Sequence, residues 1–302
     1  MINTVNGPVV VGIDGSDEAA RAASYGAWEA TRRQVALRLV FAHQPTPMWG
    51  PAMLLQDDYE WVADWVREIL VKAEKAVTAA HPDTTVETAA ISGGPAAALV
   101  DESRRASLVV IGTRATGGLV GHLSGSVAAQ VAAHAHAPVV VLRPNDPDAT
   151  DSATFSTSPV VVGLDGSPEA QLALAFAVEE SAGRGAELHA VYAWNLLDVR
   201  DIGPIVPDGY EAADEEEKAL RLLTEATEGW SDRYPELVIK RRVMHSLNPV
   251  DALTKASDGA GLLVVGSRGH GGFLGLRLGS TVDGLIRHAG APVAVVRGEP
   301  TP

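Results

Sequence analysis

The 302-residue chain contains no cysteine. Disulfides, thiol nucleophiles and thiolate metal ligands are thereby excluded. Cations are scarce as well: 24 Lys and Arg stand against 38 Asp and Glu, a formal charge of −14. A chain this acidic repels phosphodiester backbones and anionic lipid on average, so neither nucleic acid nor a membrane is an expected partner. A local positive pocket for a small anion is still allowed. No apolar run approaches the length of about 18 residues that a spanning helix needs. Residues 1–14 carry no Lys or Arg and only the short apolar run Val9–Val11, which does not make a secretory leader. These absences lead to the expectation of a cytoplasmic protein. Two nucleotide signatures are missing too. No G-x-x-x-x-G-K-[ST] follows a strand, and the first strand runs into Gly12-Ile-Asp-Gly15 rather than G-x-G-x-x-G. P-loop hydrolysis and dinucleotide redox chemistry are disfavoured accordingly.

What is present is apolar material, 46% of residues, enough for two cores at a length of roughly two domains. The chain repeats itself. Val9-Val-Val-Gly-Ile-Asp-Gly-Ser16 returns 151 residues later as Val160-Val-Val-Gly-Leu-Asp-Gly-Ser167. Ser107-Leu-Val-Val-Ile-Gly-Thr-Arg114 returns 154 residues later as Gly261-Leu-Leu-Val-Val-Gly-Ser-Arg268. Ala137-Pro-Val-Val-Val-Leu-Arg143 returns as Ala291-Pro-Val-Ala-Val-Val-Arg297. The pattern is that of a duplicated domain, residues 1–144 and 159–302, joined by a linker at 145–158 rich in Pro, Ser, Thr and Asp.

Each copy alternates strands and helices. In the first, strands are expected at Pro8–Ile13, Ala36–Ala42, Thr84–Ile91, Leu108–Ile111 and Pro138–Leu142. Helices are expected at Asp17–Arg33, Leu54–Ala80, Pro95–Arg105 and Gly125–Ala135. In the second, strands are expected at Val160–Leu164, Glu187–Ala193, Leu237–Val243, Leu262–Val265 and Pro292–Val296. Continuous Val/Ile/Leu strands joined by helices imply an α/β fold with a parallel sheet covered on both faces. Right-handed crossovers make each copy an open, doubly wound five-stranded sheet of order 3-2-1-4-5. Its switch point lies between strands 1 and 4, where ligands bind at the carboxyl ends of strands.

A glycine-rich loop follows strand 4. In the second copy it contains Gly266, Arg268, Gly269, Gly272, Arg277, Gly279, Ser280 and Thr281. In the first it contains Gly112, Arg114, Gly117, Gly118, His122, Gly125, Ser126 and Val127, with Ala115 where the second copy has Gly269. Glycines permit positive φ and close backbone approach. Successive N–H groups then form an anion-binding concavity, and the helix beginning at Gly125-Ser126 or Gly279-Ser280 points its free N–H groups and dipole at the same place. Asp14 and Asp165, at the neighbouring strand ends, are placed to accept from an amino or hydroxyl group of a nucleotide. For one copy, a turn whose Gly-Ser merely caps a helix is an equal alternative. Recurrence in both copies at one spacing favours a shared role.

At these residues the chain resembles the universal stress protein family in its tandem form. The family's ATP-binding pattern is G-2x-G-9x-G-[ST]. Gly266, Gly269, Gly279 and Ser280 match it in full; Gly112, Gly125 and Ser126 match it, and Ala115 departs. The resemblance implies an ATP-binding stress-response protein, with or without Mg²⁺. The adenine would lie near Gly12–Asp14 or Gly163–Asp165 and the end of strand 2 at Ala42 or Ala193, with the phosphates on the glycine loop. It also implies pairing of the two domains with each other, and homodimers. ATP is expected in both copies, more tightly in the second because of Ala115. Slow ATP hydrolysis and a nucleotide-free interaction module are the competing readings.

Other residues have plainer explanations. His134 and His136 lie near a helix end, where an imidazole favours the C-terminal dipole, and their spacing does not share a helical face for a metal. Trp28, Trp61 and Trp65 are expected in a core or an interface, whereas Trp49 and Trp194 follow strand 2, near the expected base pocket.

Overall fold

The computed structural model describes residues 6–43, 56–113, 126–144, 155, 157–194, 212–246, 248–269 and 278–298, with backbone alone at 56–60, 126, 194 and 212–215. The chain divides into two compact units, Asn3–Thr150 and a second beginning at Asp151.

The first unit runs β1 (Val9–Gly12), α1 (Asp17–Arg33), β2 (Leu37–His43), α2 (Gln56–Ala80), β3 (Val86–Ser92), α3 (Pro95–Glu102), β4 (Leu108–Gly112), α4 (Ser126–His134), β5 (Val139–Leu142). Its strands are all parallel, in the order β3-β2-β1-β4-β5. The second unit runs β6 (Val160–Leu164), α5 (Pro168–Arg184), β7 (Leu188–Trp194), α6 (Ala212–Thr227), α7 (Trp230–Arg233), β8 (Ile239–His245), α8 (Pro249–Ala256), β9 (Leu262–Gly266), α9 (Ser280–His288), β10 (Val293–Val296). Its order is β8-β7-β6-β9-β10, again parallel. Each unit therefore has the expected 3-2-1-4-5 sheet.

The continuous apolar runs have a simple cause. Val9–Val11 and Val160–Val162 sit in central strands covered on both faces, and all six are fully buried. On β2, side chains of opposite parity reach opposite helices. Arg38 Nε bonds Glu102 of α3 at 2.8 Å, whereas the Phe41 ring meets the Trp65 ring of α2 edge-on at 5.5 Å. The α1/α2 and α3/α4 pairs thus lie on opposite faces of the sheet.

The turn after the first strand of each unit is built identically. Gly15 and Gly166 take φ of +82° and +80°. The Asp14 and Asp165 Oδ1 atoms accept from the Ser16 and Ser167 backbone N–H groups at 3.0 and 2.9 Å. Those serines cap α1 and α5, accepting from Ala19 and Ala170 N–H at 3.2 Å, a cap worth about 1 kcal/mol. α1 covers Asp17–Arg33, the range expected.

One expectation about aromatics is corrected. Trp61 is 69% exposed and Trp65 45% exposed, so Trp61 is no core residue. The inward stripe of α2 is Val66, Leu70 and Val77; around the helix from Val66, Trp65 stands about 100° away and Trp61 about 140°. Trp28 is half-buried beside Tyr25, with ring centroids 5.7 Å apart. His134 behaves as a helix-end histidine: its Nδ1 meets the Gln130 carbonyl at 2.8 Å.

Candidate functional site

β1 and β4 are adjacent, with Val11 opposite Val110, and their chains leave the sheet in opposite directions. At that divergence the first unit has a cavity of about 470 Å³. It is bounded by Gly12, Ile13 and Asp14 after β1, by Val40 and Ala42 of β2, by Gly112 and Thr113 after β4, by Pro95 and Leu99 of α3, and by Val127 in the first turn of α4. The walls are apolar, with Asp14 and Thr113 as polar exceptions, which suits a flat apolar group fixed by a few polar contacts. The opening turn of α4 borders the cavity, so the N–H end of that helix faces its rim. Gly12, Asp14, Ala42, Gly112 and Val127 are thus brought together around one hollow.

Why glycine stands at these places differs from position to position. A Cβ on Gly12 would come within 2.9 Å of Leu99 Cδ1, and one on Gly163 within 2.9 Å of Leu253 Cδ1. A Cβ on Gly112 would strike the Glu18 carbonyl oxygen, and one on Gly266 would lie 2.8 Å from the Glu169 carbonyl carbon. In each unit the helix after the first strand therefore packs its opening turn directly on the end of the fourth. A Cβ on Gly269 would collide with the Asp165 Oδ2 atom. The expectation that loop glycines supply positive φ fails for Gly112, Gly266, Gly269 and Gly279. Positive φ is found instead at Gly15 and Gly166. Gly112, Gly266 and Gly269 spare room rather than twist the chain.

Gly279 is the exception. It is extended, with φ −73° and ψ 149°, and caps α9 without a side-chain bond. Its N–H donates to the Ser267 carbonyl at 3.0 Å. A Cβ there would make only ordinary contacts, the nearest at 3.6 Å. Neither strain nor packing within the described residues calls for glycine, although Ser, Asp or Asn would cap the helix better. Beside it, the fully buried Ser267 Oγ has no hydrogen-bond partner among the described residues, and Arg268 Nε stands 3.9 Å from Glu169 Oε1. Ser280 and Thr281 form the first turn of α9, and Asp165 reaches the loop through its contact with Gly269. Gly163 and Ala193 occupy the same strand positions in the second unit as Gly12 and Ala42 in the first.

Arg114, Gly117, Gly118, His122, Gly125, Gly272, Arg277 and Trp49 lie outside the described residues, and of Ser126 and Trp194 only the backbone is described. Sequence reasoning reached Ile13 through the Gly12–Asp14 stretch but missed Val40, Pro95, Leu99 and Thr113 as cavity walls. One signal was available: Pro95-Ala-Ala-Ala-Leu99 recurs as Pro249-Val-Asp-Ala-Leu253. Both prolines open a short helix whose leucine closes on the strand-1 glycine.

Two doubly wound units, each with a glycine-edged strand end at its switch point, define a tandem α/β protein with a ligand-sized hollow. The chain belongs to the universal stress protein family, whose model matches residues 6–143 and again 157–297. It is 34% identical over 293 residues to a universal stress protein of Mycobacterium tuberculosis (strain H37Rv), covering 96% of each chain. It is 35% identical over 293 residues to one of Mycolicibacterium smegmatis, with the same coverage. Its fold is that of a universal stress protein from Archaeoglobus fulgidus, at a TM-score of 0.71 and 20% identity over 99% of both chains. Among the described residues no helix is long and apolar enough to cross a membrane.

Proposed function

We propose that each copy binds an adenine nucleotide, ATP in preference, and that the protein acts as a cytoplasmic stress-response regulator through nucleotide occupancy rather than through turnover. The observation that carries this reading is the hollow of about 470 Å³ at the β1/β4 switch point, apolar in its walls and edged by a helix start. The base sits between Ile13, Val40 and Leu99, Asp14 receives the ribose hydroxyls, and the triphosphate lies toward the first turn of α4. In the second copy Gly163, Asp165 and Ala193 take the corresponding parts, and Gly279 leaves open the space beside the α9 N-terminus that a phosphate needs. Mg²⁺ would accompany the phosphates; among the described residues no cluster of three His, Asp or Glu side chains is placed to hold it. Efficient hydrolysis requires a positioned water and a free base. Asp14 and Asp165 each commit an oxygen to the turn that follows, which favours a nucleoside-holding role for both.

The test is direct. Mass spectrometry of material released from the heat-denatured protein should show adenine nucleotide at one to two per chain. In calorimetric titration with ATP, Gly279→Glu should remove the second-copy site, weakening it by a hundredfold or more, roughly 3 kcal/mol, and leave the first. Unchanged stoichiometry and affinity in that variant would sink the reading. A Mg²⁺-dependent turnover assay then separates binding from slow hydrolysis.

A further inference from the structure

We propose that the groove between α1 and α2 of the first copy is a second binding site, for an unbranched, medium-chain amphipathic carboxylate. It lies on the sheet face opposite α3 and α4. The groove encloses about 550 Å³, within the range of small-molecule sites. It is long rather than round: its walls on α2 extend from Trp65 to His81, about 24 Å of helix at 1.5 Å per residue. Six alanines line it, among them Ala20, Ala23, Ala73 and Ala76. An extended methylene chain is the shape that such a slot accepts, and the Trp65 indole closes one end of it.

The second copy shows that this space is not a requirement of the fold. Ala23 corresponds to Leu174, which is fully buried. The second helices align through a shared contact: a Cβ on Gly15 would lie 3.3 Å from Ile69 Cδ1, and one on Gly166 would lie 3.2 Å from Leu222 Cδ1. On that alignment Lys218 stands for Trp65 and Glu225 for Lys72. The volume, the aromatic wall and the cation occur together in the first copy and are all replaced in the second.

Charge sets the ligand's sign and direction. Lys72 lines the groove and forms no ion pair among the described residues. His81 lines the far end. The opposite end carries Asp14, turned onto Ser16, and Asp17 in the first turn of α1. A carboxylate head is repelled by that end and received at Lys72, two helical turns from Trp65, with the chain running back beside Ala20, Ala23 and Ile69 toward the indole.

The test needs no nucleotide. The full chain is titrated calorimetrically with sodium decanoate and, separately, with decyltrimethylammonium, both below their micelle-forming concentrations. Decanoate should saturate at one per chain, and the cation should bind at least about tenfold more weakly. Ala23→Leu, which installs the second copy's residue, should abolish decanoate binding. Lys72→Glu, an exposed change that leaves packing intact, should weaken it about tenfold. Absence of saturable decanoate binding, equal binding of the cationic amphiphile, or wild-type affinity in Lys72→Glu would overturn the proposal. The last of these decides the matter even where Ala23→Leu folds poorly.

Discussion

The two copies keep one fold while wiring its outer strands with opposite charges. In the first, Arg38 of β2 bonds Glu102 at 2.8 Å and Glu87, its neighbour on β3, at 3.3 Å. The bond to Glu102 raises the already high basicity of that guanidinium, so it stays charged. In the second, the matching residues are His189 and Lys240, and Glu102 gives way to Ala256. Here an acid one position before β7, Glu187, meets both residues, at 3.1 Å from His189 Nε2 and 2.7 Å from Lys240 Nζ. By contrast, the Gly12–Leu99 closure and its twin Gly163–Leu253 are kept to the same 2.9 Å approach. Polar networks at a half-exposed sheet flank contribute little and can be rebuilt. Close backbone packing at the switch point has one solution, because a single added carbon fills it.

The buried ion pairs offer the largest way to break this symmetry. Glu29 of α1 holds both Arg32 at 2.7 Å and Arg33 at 3.0 Å. Its counterpart Glu180 holds Arg184 at 2.9 Å, with that guanidinium fully buried and also bonded to the Phe155 and Gly261 carbonyls at 3.3 and 3.5 Å. Arg184 therefore anchors Phe155, itself buried, to the second unit. Arg184→Ala should cost about 3–5 kcal/mol in urea unfolding of that unit, since it strands a buried carboxylate. Arg33→Ala should cost about 1 kcal/mol or less, because Arg32 remains and is partly exposed. Equal losses would erase the distinction.

A smaller effect is expected at the helix ends. α1 finishes on Gln34 with φ 56°, α5 on Gly185 with φ 65°. The second copy uses the residue suited to the left-handed region; the first does not. Gln34→Gly should stabilise the first unit by about 0.5 kcal/mol, and Gly185→Gln should destabilise the second by about 1 kcal/mol, as read from thermal or urea midpoints. A loss of stability in Gln34→Gly would show that the side chain carries more than strain.

The smallest effect is on titration. Hydrogen bonds from Lys240 and then His189 hold the Glu187 carboxyl below the ordinary carboxylate value of about 4.5. A lowered folded-state pKa contributes stability that is present above the unfolded value and is lost as pH falls through the folded one. NMR titration of Glu187 should place its midpoint below 4.5 in the wild type and nearer that value in Lys240→Ala. Coincident curves would contradict the network.

Much of this was legible beforehand where the cause is local. Ser16 and Ser167 announce their helices through a cap that each sequence position carries by itself, and Pro249 opens α8 as Pro95 opens α3. The parallel sheet followed from continuous apolar runs, and its strand order from right-handed crossovers. What was misread involves approach through space. Glycine at 112 was assigned a torsional role, yet its reason is the Glu18 carbonyl of another element. Trp61 and Trp65 share a helical face, but whether that face meets a core depends on what lies opposite. Leu99 is an ordinary apolar residue until Gly12 places it in the wall of a cavity.

The duplication, the alternation of strands and helices, the caps and the sheet order were settled by sequence alone, since each follows from neighbours along the chain or from a periodic pattern. Only tertiary structure decided which glycines make room, how deeply each acid–guanidinium pair is buried, and that the first copy keeps a long groove where the second has Leu174. Those outcomes turn on distances between residues far apart in the chain. No local propensity encodes them, because the same side chain fills a gap in one setting and lines it in another.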